Sequence, residues 1–451
     1  MKTARKLSAL DATLLVMGGI MGIGIFFNPA SVAERAREPW AFLLVWVLGG
    51  AVACCAAFTF AELGATFPRS GGWFVFLREA FGPFPAFLFA WVVLFVVSTG
   101  ALAAIAKFCA LAVHGALPGW VGEAGSASSH AVALGLLSFW TCVTLLGVKS
   151  GALLQNACMV AKLLAVVALV LAGLVFAGTS TEPGGAGDPT PAALAAVTSG
   201  GSSERGSLLA GILAALLPVF FSYGGWQLVC YIAPELREPE RALPRAILCG
   251  VLGVIVVYLL LNVSFLRVLG LEGIAGHDDF AARYARASLG PVGERWLSAG
   301  MAVSAFGIMG VNVMTTPWMY VAMSREGLFF QRFGRLSRRG APAAALGIQA
   351  LIVSLYYVRE LSDLVDSVVL VEWIFHGLVA LALLSLRKKR PELPRPFRSL
   401  AYPLAPVVYG LAAMVIVVSN LWQKPGDFLM GLGIVLAGAP VYRLWRRWPT
   451  R

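Results

Sequence analysis

A few ionisable side chains lie inside stretches that are otherwise apolar. Lys162 sits in Cys158-Met-Val-Ala-Lys-Leu-Leu, and Glu372 and His376 sit in Val371-Glu-Trp-Ile-Phe-His. A charge held away from water is costly, so each of these needs a partner or a task. Lys162 could exchange a proton, or stand as a fixed cation where another protein would hold a sodium ion. It could also be a structural lysine that bonds helix-end carbonyls. Glu372 and His376 are four residues apart and share one helix face. Glu372 could meet a polar or cationic ligand group or carry a proton; the pair could equally serve only to hold its helix. Lys107 lies near the end of its apolar stretch, where its long stem lets the ammonium reach water. Glu62 ends another apolar stretch and reads as a tie for the adjoining loop.

Two glycine-rich stretches could supply the complementary chemistry. Gly18–Pro29 reads GGIMGIGIFFNP, and Pro218-Val-Phe-Phe-Ser-Tyr-Gly-Gly-Trp226 is a second apolar run broken by glycines and polar groups. An interrupted helix bares N–H groups at the start of one half and carbonyls at the end of the other, and these suit the two charged ends of a small zwitterion. In a bilayer such irregular backbone is tolerated only where protein or water surrounds it. The competing reading is that the glycines only let helices approach closely.

Composition sets the frame that must hold these groups. The chain has 451 residues, of which 59% are hydrophobic and 13% charged, and a mean hydropathy of +0.81. A soluble domain carries about 25% charged residues. The apolar runs are about 20 residues long and lack period-2 alternation, so the fold class is an all-α polytopic membrane protein. The seven cysteines all lie in apolar stretches, without C-x-x-C pairs or a histidine at ligand spacing. The four histidines are scattered. Neither a metal centre nor a cofactor is expected, and no disulfide framework.

Twelve spans can be drawn, at 10–34, 40–66, 83–113, 130–148, 156–178, 208–232, 244–268, 294–322, 342–358, 364–386, 401–421 and 427–445. With the N-terminus inside, 24 of the 35 basic residues fall on the cytoplasmic side and nine on the other. That asymmetry predicts cytoplasmic N- and C-termini, and it accounts for the net charge of +12 without invoking nucleic acid. Gly178–Ser207, rich in Gly, Ser, Thr and Pro, reads as a flexible outer loop, and Leu271–Gly293 as an outer segment able to hold a short helix over an entrance. No soluble domain is long enough to fold alone. The broken runs open spans one and six, the first members of two five-span halves, about 10–178 and 208–386, with two further helices at about 401–445. Paired interruptions at matching positions of two halves point to a central binding site in a transporter. Lys162 would lie about a third of the way into span five.

Taken together, the chain resembles the amino acid–polyamine–organocation superfamily, near its L-type amino acid transporter branch. The resemblance rests on Gly22-Ile-Gly-Ile-Phe; on Phe60-Ala-Glu-Leu-Gly-Ala-Thr-Phe-Pro-Arg-Ser-Gly-Gly-Trp73 with Leu77-Arg-Glu-Ala-Phe-Gly-Pro83; on Tyr223-Gly-Gly-Trp226 with the run Pro234 to Arg245; on Ser324-Arg-Glu-Gly327; and on Arg387 to Phe397. It implies a 5+5 inverted repeat (LeuT-like) plus two helices, alternating access, and an amino acid substrate carried across the inner membrane of a prokaryote. It further implies that the substrate carboxylate meets the N–H groups of Ile23, Gly24 and Ile25, and that the ammonium meets carbonyls of Ile20, Phe221 and Gly224. Phe221 corresponds to a gating aromatic. Gly22–Ile25 and Ser222–Gly225 would be hinge and binding site together. Lys162 corresponds to a lysine that fills a sodium position in sodium-independent members, and Glu372 falls where some relatives place an asparagine lining the side-chain pocket.

The chain departs from the pattern in three places. Ile23 stands where Ser or Ala is usual, Thr315-Thr-Pro-Trp-Met-Tyr replaces a Ser-Arg pattern, and Glu372 is acidic where relatives are neutral. The resemblance thus implies sodium-independent exchange or proton symport of amino acids. An amine, polyamine or cationic amino acid carrier that pairs Glu372 with the substrate cation is the alternative. His114–Ser129 has no cysteine, so the disulfide-linked accessory subunit of animal members is not expected. An enzyme would need convergent nucleophile, acid–base or metal groups, and none are found.

Overall fold

The computed structural model describes residues 6–122, 125–176, 208–359 and 362–447. The expected loop Gly178–Ser207 lies outside them. Among the described residues the regular structure is helical, with only two isolated bridges, Leu7 to Leu236 and Pro118 to Val121. Nine helical segments among them are long and apolar enough to cross a membrane.

The first apolar run folds as two short helices, α1 (Ala9–Ile20) and α2 (Asn28–Ala36), with a single 3-10 turn at Gly24–Phe26 between them. Ser8 and Asp11 form a reciprocal cap at the start of α1, satisfying N–H groups that the first turn leaves open. Pro29 falls in the first turn of α2, where its missing N–H is harmless. The sixth run breaks the same way. Helix α9 (Leu208–Tyr223) stops at Gly224-Gly225, and a tighter 3-10 segment continues over Trp226–Glu235. Gly225 has φ +122°, a backbone conformation that a side chain would strain.

Between these come α3 (Pro39–Thr66), α4 (Trp73–Phe81), α5 (Pro83–Val92), α6 (Ser98–Ala116), α7 (Ala127–Leu145) and α8 (Val148–Phe176). A π turn over Val93–Val97 joins α5 to α6. After the second break come α10 (Pro239–Leu269), the short α11 (Phe280–Leu289) within the segment expected to hold one, α12 (Gly293–Thr315), α13 (Pro317–Arg325), α14 (Ala343–Arg359), α15 (Ser362–Lys389), α16 (Leu404–Gln423) and α17 (Pro425–Arg447).

The structure corrects the expected limits of one helix. The expected spans end at 148 and restart at 156, yet 149–155 form the opening turns of α8. Gln155 is fully buried, and Asn156 donates to the Asp11 carboxylate of α1 at 2.6 Å. Polar groups that face a neighbouring helix do not interrupt a span. Lys162 therefore sits near the middle of α8.

Helix α12 packs along α6 and α8, α10 packs against α3 and α1, and α15 against α16. Close approach uses glycine: a Cβ on Gly310 of α12 would fall 2.3 Å from the Trp140 ring of α7. At one end of the bundle the connections are tied by charge. Glu62, fully buried, accepts from Arg387 at 2.7 and 2.5 Å and from the Ser399 N–H at 2.8 Å, and Arg395 lies 3.5 Å away. Glu79 joins Arg69 and Arg390, and Arg78 pairs with Glu326. The N–H groups of Lys6 and Leu7 donate to the Glu235 carbonyl, and Arg237 donates back to Leu7. Glu62 thus ties loops together, as its position in the sequence suggested.

Candidate functional site

The two breaks cross backbone to backbone. A Cβ on Gly225 would stand 2.2 Å from the Gly19 carbonyl oxygen, and one on Gly19 would stand 3.0 Å from that of Gly225. No side chain fits at this crossing. Just beyond it, a Cβ on Gly24 would lie 3.3 Å from the Ser222 hydroxyl and 3.2 Å from the Asn28 amide. Asn28 donates to the Pro218 carbonyl at 2.9 Å and to the Ser222 hydroxyl at 2.7 Å. The start of α2 is thereby pinned to the end of α9. The structure brings Gly22, Ile23, Gly24 and Ile25 next to Ser222, Gly224 and Gly225.

The break leaves donors open on one side and acceptors occupied on the other. The N–H groups of Ile23, Gly24 and Ile25 find no acceptor among the described residues. Gly24 and Ile23 are half-buried. The carbonyl of Ile20, expected to hold an ammonium, already accepts from the Gly22 N–H at 2.7 Å and the Tyr258 hydroxyl at 3.1 Å. Both of its lone pairs are therefore engaged in this conformation. The Phe221 carbonyl accepts from the Gly224 N–H at 3.2 Å and keeps one lone pair. Phe221 is 44% exposed and Phe27 42%; the Phe27 ring meets Phe108 edge-on at 5.5 Å.

Behind the break, Lys162 of α8 donates to the Met21 carbonyl. The Ser304 hydroxyl of α12 is shared between the Met21 and Gly22 carbonyls at 3.2 and 3.1 Å. Lys162 is 3% exposed. Its ammonium therefore satisfies a carbonyl that the unwound chain leaves without a helical partner.

Glu372 and His376 do not pair. His376 Nδ1 meets the Tyr409 hydroxyl of α16 at 2.5 Å. Its ring stacks on Trp373 with centroids 4.3 Å apart and meets Trp73 edge-on at 4.6 Å. Helical spacing alone could not reveal a partner on another helix. Glu372 is half-buried and has no hydrogen-bond or ion-pair partner among the described residues. Its neighbour Trp373 lies 6.2 Å, ring to ring, from Phe221, which brings this part of α15 beside the second break. Lys107 is exposed, as its snorkelling position predicted.

Four residues of this region were not singled out from the sequence: Asn28, Gln155, Tyr258 and Ser304. For Asn28 the signal was present, since an Asn-Pro pair after a glycine cluster marks a helix start. Gln155 fills the notch left by Gly18, where a Cβ would meet its amide nitrogen at 2.1 Å. Neither amide atom has a hydrogen-bond partner among the described residues. Among the described residues no cluster of three metal-ligating side chains occurs.

Two interrupted helices that touch backbone to backbone, among apolar helices long enough to span a bilayer, point to a polytopic membrane protein. Comparison with known proteins gives the family. The amino acid permease model matches residues 7–436, and the chain belongs to that family of membrane transporters, not to an enzyme family. It is similar to the human b(0,+)-type amino acid transporter 1, with 28% identity over 447 residues, covering 98% of this chain and 88% of the relative. It is also similar to the mouse large neutral amino acids transporter small subunit 2, with 28% identity over 455 residues, covering 98% and 81%.

Proposed function

We propose that the protein is a sodium-independent secondary transporter of amino acids, working in the cytoplasmic membrane by alternating access, as exchanger or proton symporter. The observation that carries this reading is the set of three open N–H donors at Ile23, Gly24 and Ile25, beside a break whose carbonyls are already held by Lys162 and Ser304. The open donors suit a carboxylate. Each charge-assisted bond contributes about 1.5–3 kcal/mol, and several of them reach the ~8 kcal/mol of micromolar binding, after association costs, only with burial of the substrate side chain in an apolar pocket added. Phe221 closes over the substrate, and Ile20, Phe221 and Gly224 receive the ammonium after the break rearranges. The scaffold is the twelve-span, 5+5 repeat with two added helices, its basic, ion-paired end facing the cytoplasm. The exposed Phe27 and Phe221 rings then mark a conformation open to the outside. The reading includes no disulfide-linked partner.

A second reading follows from Glu372, half-buried and without a hydrogen-bond or ion-pair partner among the described residues, next in the chain to Trp373. It would let the site take an amine or a cationic amino acid. Glu372→Gln should then lose uptake of cationic substrates and keep that of neutral ones; unchanged selectivity removes this reading.

The test of the main proposal is uptake of a labelled amino acid panel into proteoliposomes in sodium-free buffer. Uptake confined to preloaded vesicles means exchange. Concentration into empty vesicles under an inward proton gradient means symport. No uptake of any amino acid in either arm refutes the proposal.

A further inference from the structure

Behind the first break lies a cavity of about 310 Å³ between α8 and α12. This is at the lower end of the range for small-ligand sites. Met21, Gly22, Lys162 and Ser304 line its deep end, and Trp296 and Leu289 its far end. Ala165 and Ala168 of α8 and Gly300 of α12 form the sides; both alanines are exposed on the outer surface of α8, and Trp296 is 69% exposed. The cavity therefore opens sideways, between two helices, toward the bilayer.

We infer that this cavity binds a single alkyl chain, from either a bilayer phospholipid or a free fatty acid. Three observations point to that chemistry. The lining is apolar except at the deep end, where Lys162 and the Ser304 hydroxyl already bond the Met21 and Gly22 carbonyls. A polar ligand would lose its hydration along the apolar length of the cavity before it reached that end. The length also fits. Trp296 and Ser304 are eight residues apart on α12, about 12 Å along the helix axis, close to the ~15 Å of one leaflet's hydrocarbon. Finally, Trp296 stands at the far end, and tryptophan sits at the headgroup level of membranes. On the topology proposed above, that level belongs to the outer leaflet. A chain seated here packs on Ile25 and Phe26. It wedges the broken segment away from α8 and α12 and so opposes any movement of the break into this space.

Photo-crosslinking tests the inference without relying on transport. The full-length protein is reconstituted with phosphatidylcholine carrying a terminal diazirine on one chain, and in parallel with a diazirine-tagged free fatty acid. Crosslinks are mapped by mass spectrometry. The expected result is labelling within 21–26, 162–169 and 296–304, from the phospholipid if the bilayer supplies the chain, or from the fatty acid alone if a free amphiphile does. Gly300→Leu should reduce that labelling several-fold. A Cβ at Gly300 meets nothing within 4 Å, so the added side chain fills the space. Ala168→Leu, on the opposite wall, should do the same, and melting curves identify which variants remain folded. Absence of labelling in these segments, or labelling undiminished in a folded filling variant, overturns the inference.

Discussion

Replacing Glu62 with alanine should cost more stability than any other single side chain at the ion-paired end. The Glu62 side chain is fully buried, with Arg387 19% and Arg395 8% exposed. Its carboxylate accepts three charge-assisted bonds, two from Arg387 and one from the Ser399 N–H, and lies within Coulomb range of Arg395. Bonds of this kind contribute about 1.5–3 kcal/mol each. The larger part of the loss is what remains behind: two arginines held near the core by the Tyr402 ring, 3.8 Å from the Arg387 guanidinium, and by loop carbonyls around Arg395. Removing one partner from such a buried pair costs about 3–5 kcal/mol. At ~1.4 kcal/mol per decade, the folded-to-unfolded ratio falls by more than a hundredfold. Glu62→Gln, which keeps one acceptor oxygen but turns an amide N–H toward an arginine, should fall between alanine and wild type. Unfolding of a membrane protein in detergent is generally irreversible, so the assay is the half-life of monodisperse protein at fixed temperature. If Glu62→Ala keeps the wild-type half-life, the assignment of this cluster as the tie between α3, α15 and the start of α16 is wrong.

Other expectations are shorter to state. Lys162→Ala leaves the Met21 carbonyl with only the shared Ser304 hydroxyl, and sodium-free transport should drop at least tenfold, the effect of ~1.4 kcal/mol; wild-type rates would remove Lys162 from the mechanism. Gly18→Ala drives a methyl into the Gln155 amide, and overpacking of this kind should destabilise by about 1–3 kcal/mol, read as a lower melting temperature. The combined variant Gly18→Ala with Gln155→Ala should recover part of that loss. Asn28→Asp replaces two donated bonds with a carboxylate facing the Pro218 carbonyl, and should cost about 2 kcal/mol; a smaller loss in Asn28→Asp than in Asn28→Ala would contradict the geometry.

The features carried by backbone propensity were legible in the chain. Four glycines within Gly18–Gly24 and the pair Gly224-Gly225 forecast both interruptions, because no other residue weakens a helix and leaves room for a second backbone. Lys162 was legible as a problem, since an ammonium in an apolar run demands a partner. The partner itself was not, because Met21 and Ser304 lie 141 residues before and 142 after it in the chain. The same limit hid the Asn28 bridge to Pro218 and the Tyr409 partner of His376. Periodicity describes one helix at a time, so it offered Glu372 to His376 and could not see α16. The misplaced start of α8 has a related cause. Gln155 and Asn156 look like loop residues until α1 supplies Gly18 as a notch and Asp11 as an acceptor.

The crossing of Gly19 and Gly225 also bears on how such a protein diversifies. Only backbone atoms fit at that contact, and on the proposed function the groups that would give the pocket its shape and charge, Ile23, Phe221 and Glu372, lie at its margins. Substitutions at the margins can change what is held without disturbing the grip, whereas almost any substitution at the crossing breaks it. On the proposed function, drift in selectivity is therefore cheap for this architecture and drift at the crossing is not, so one scaffold would sustain a lineage of differing tastes.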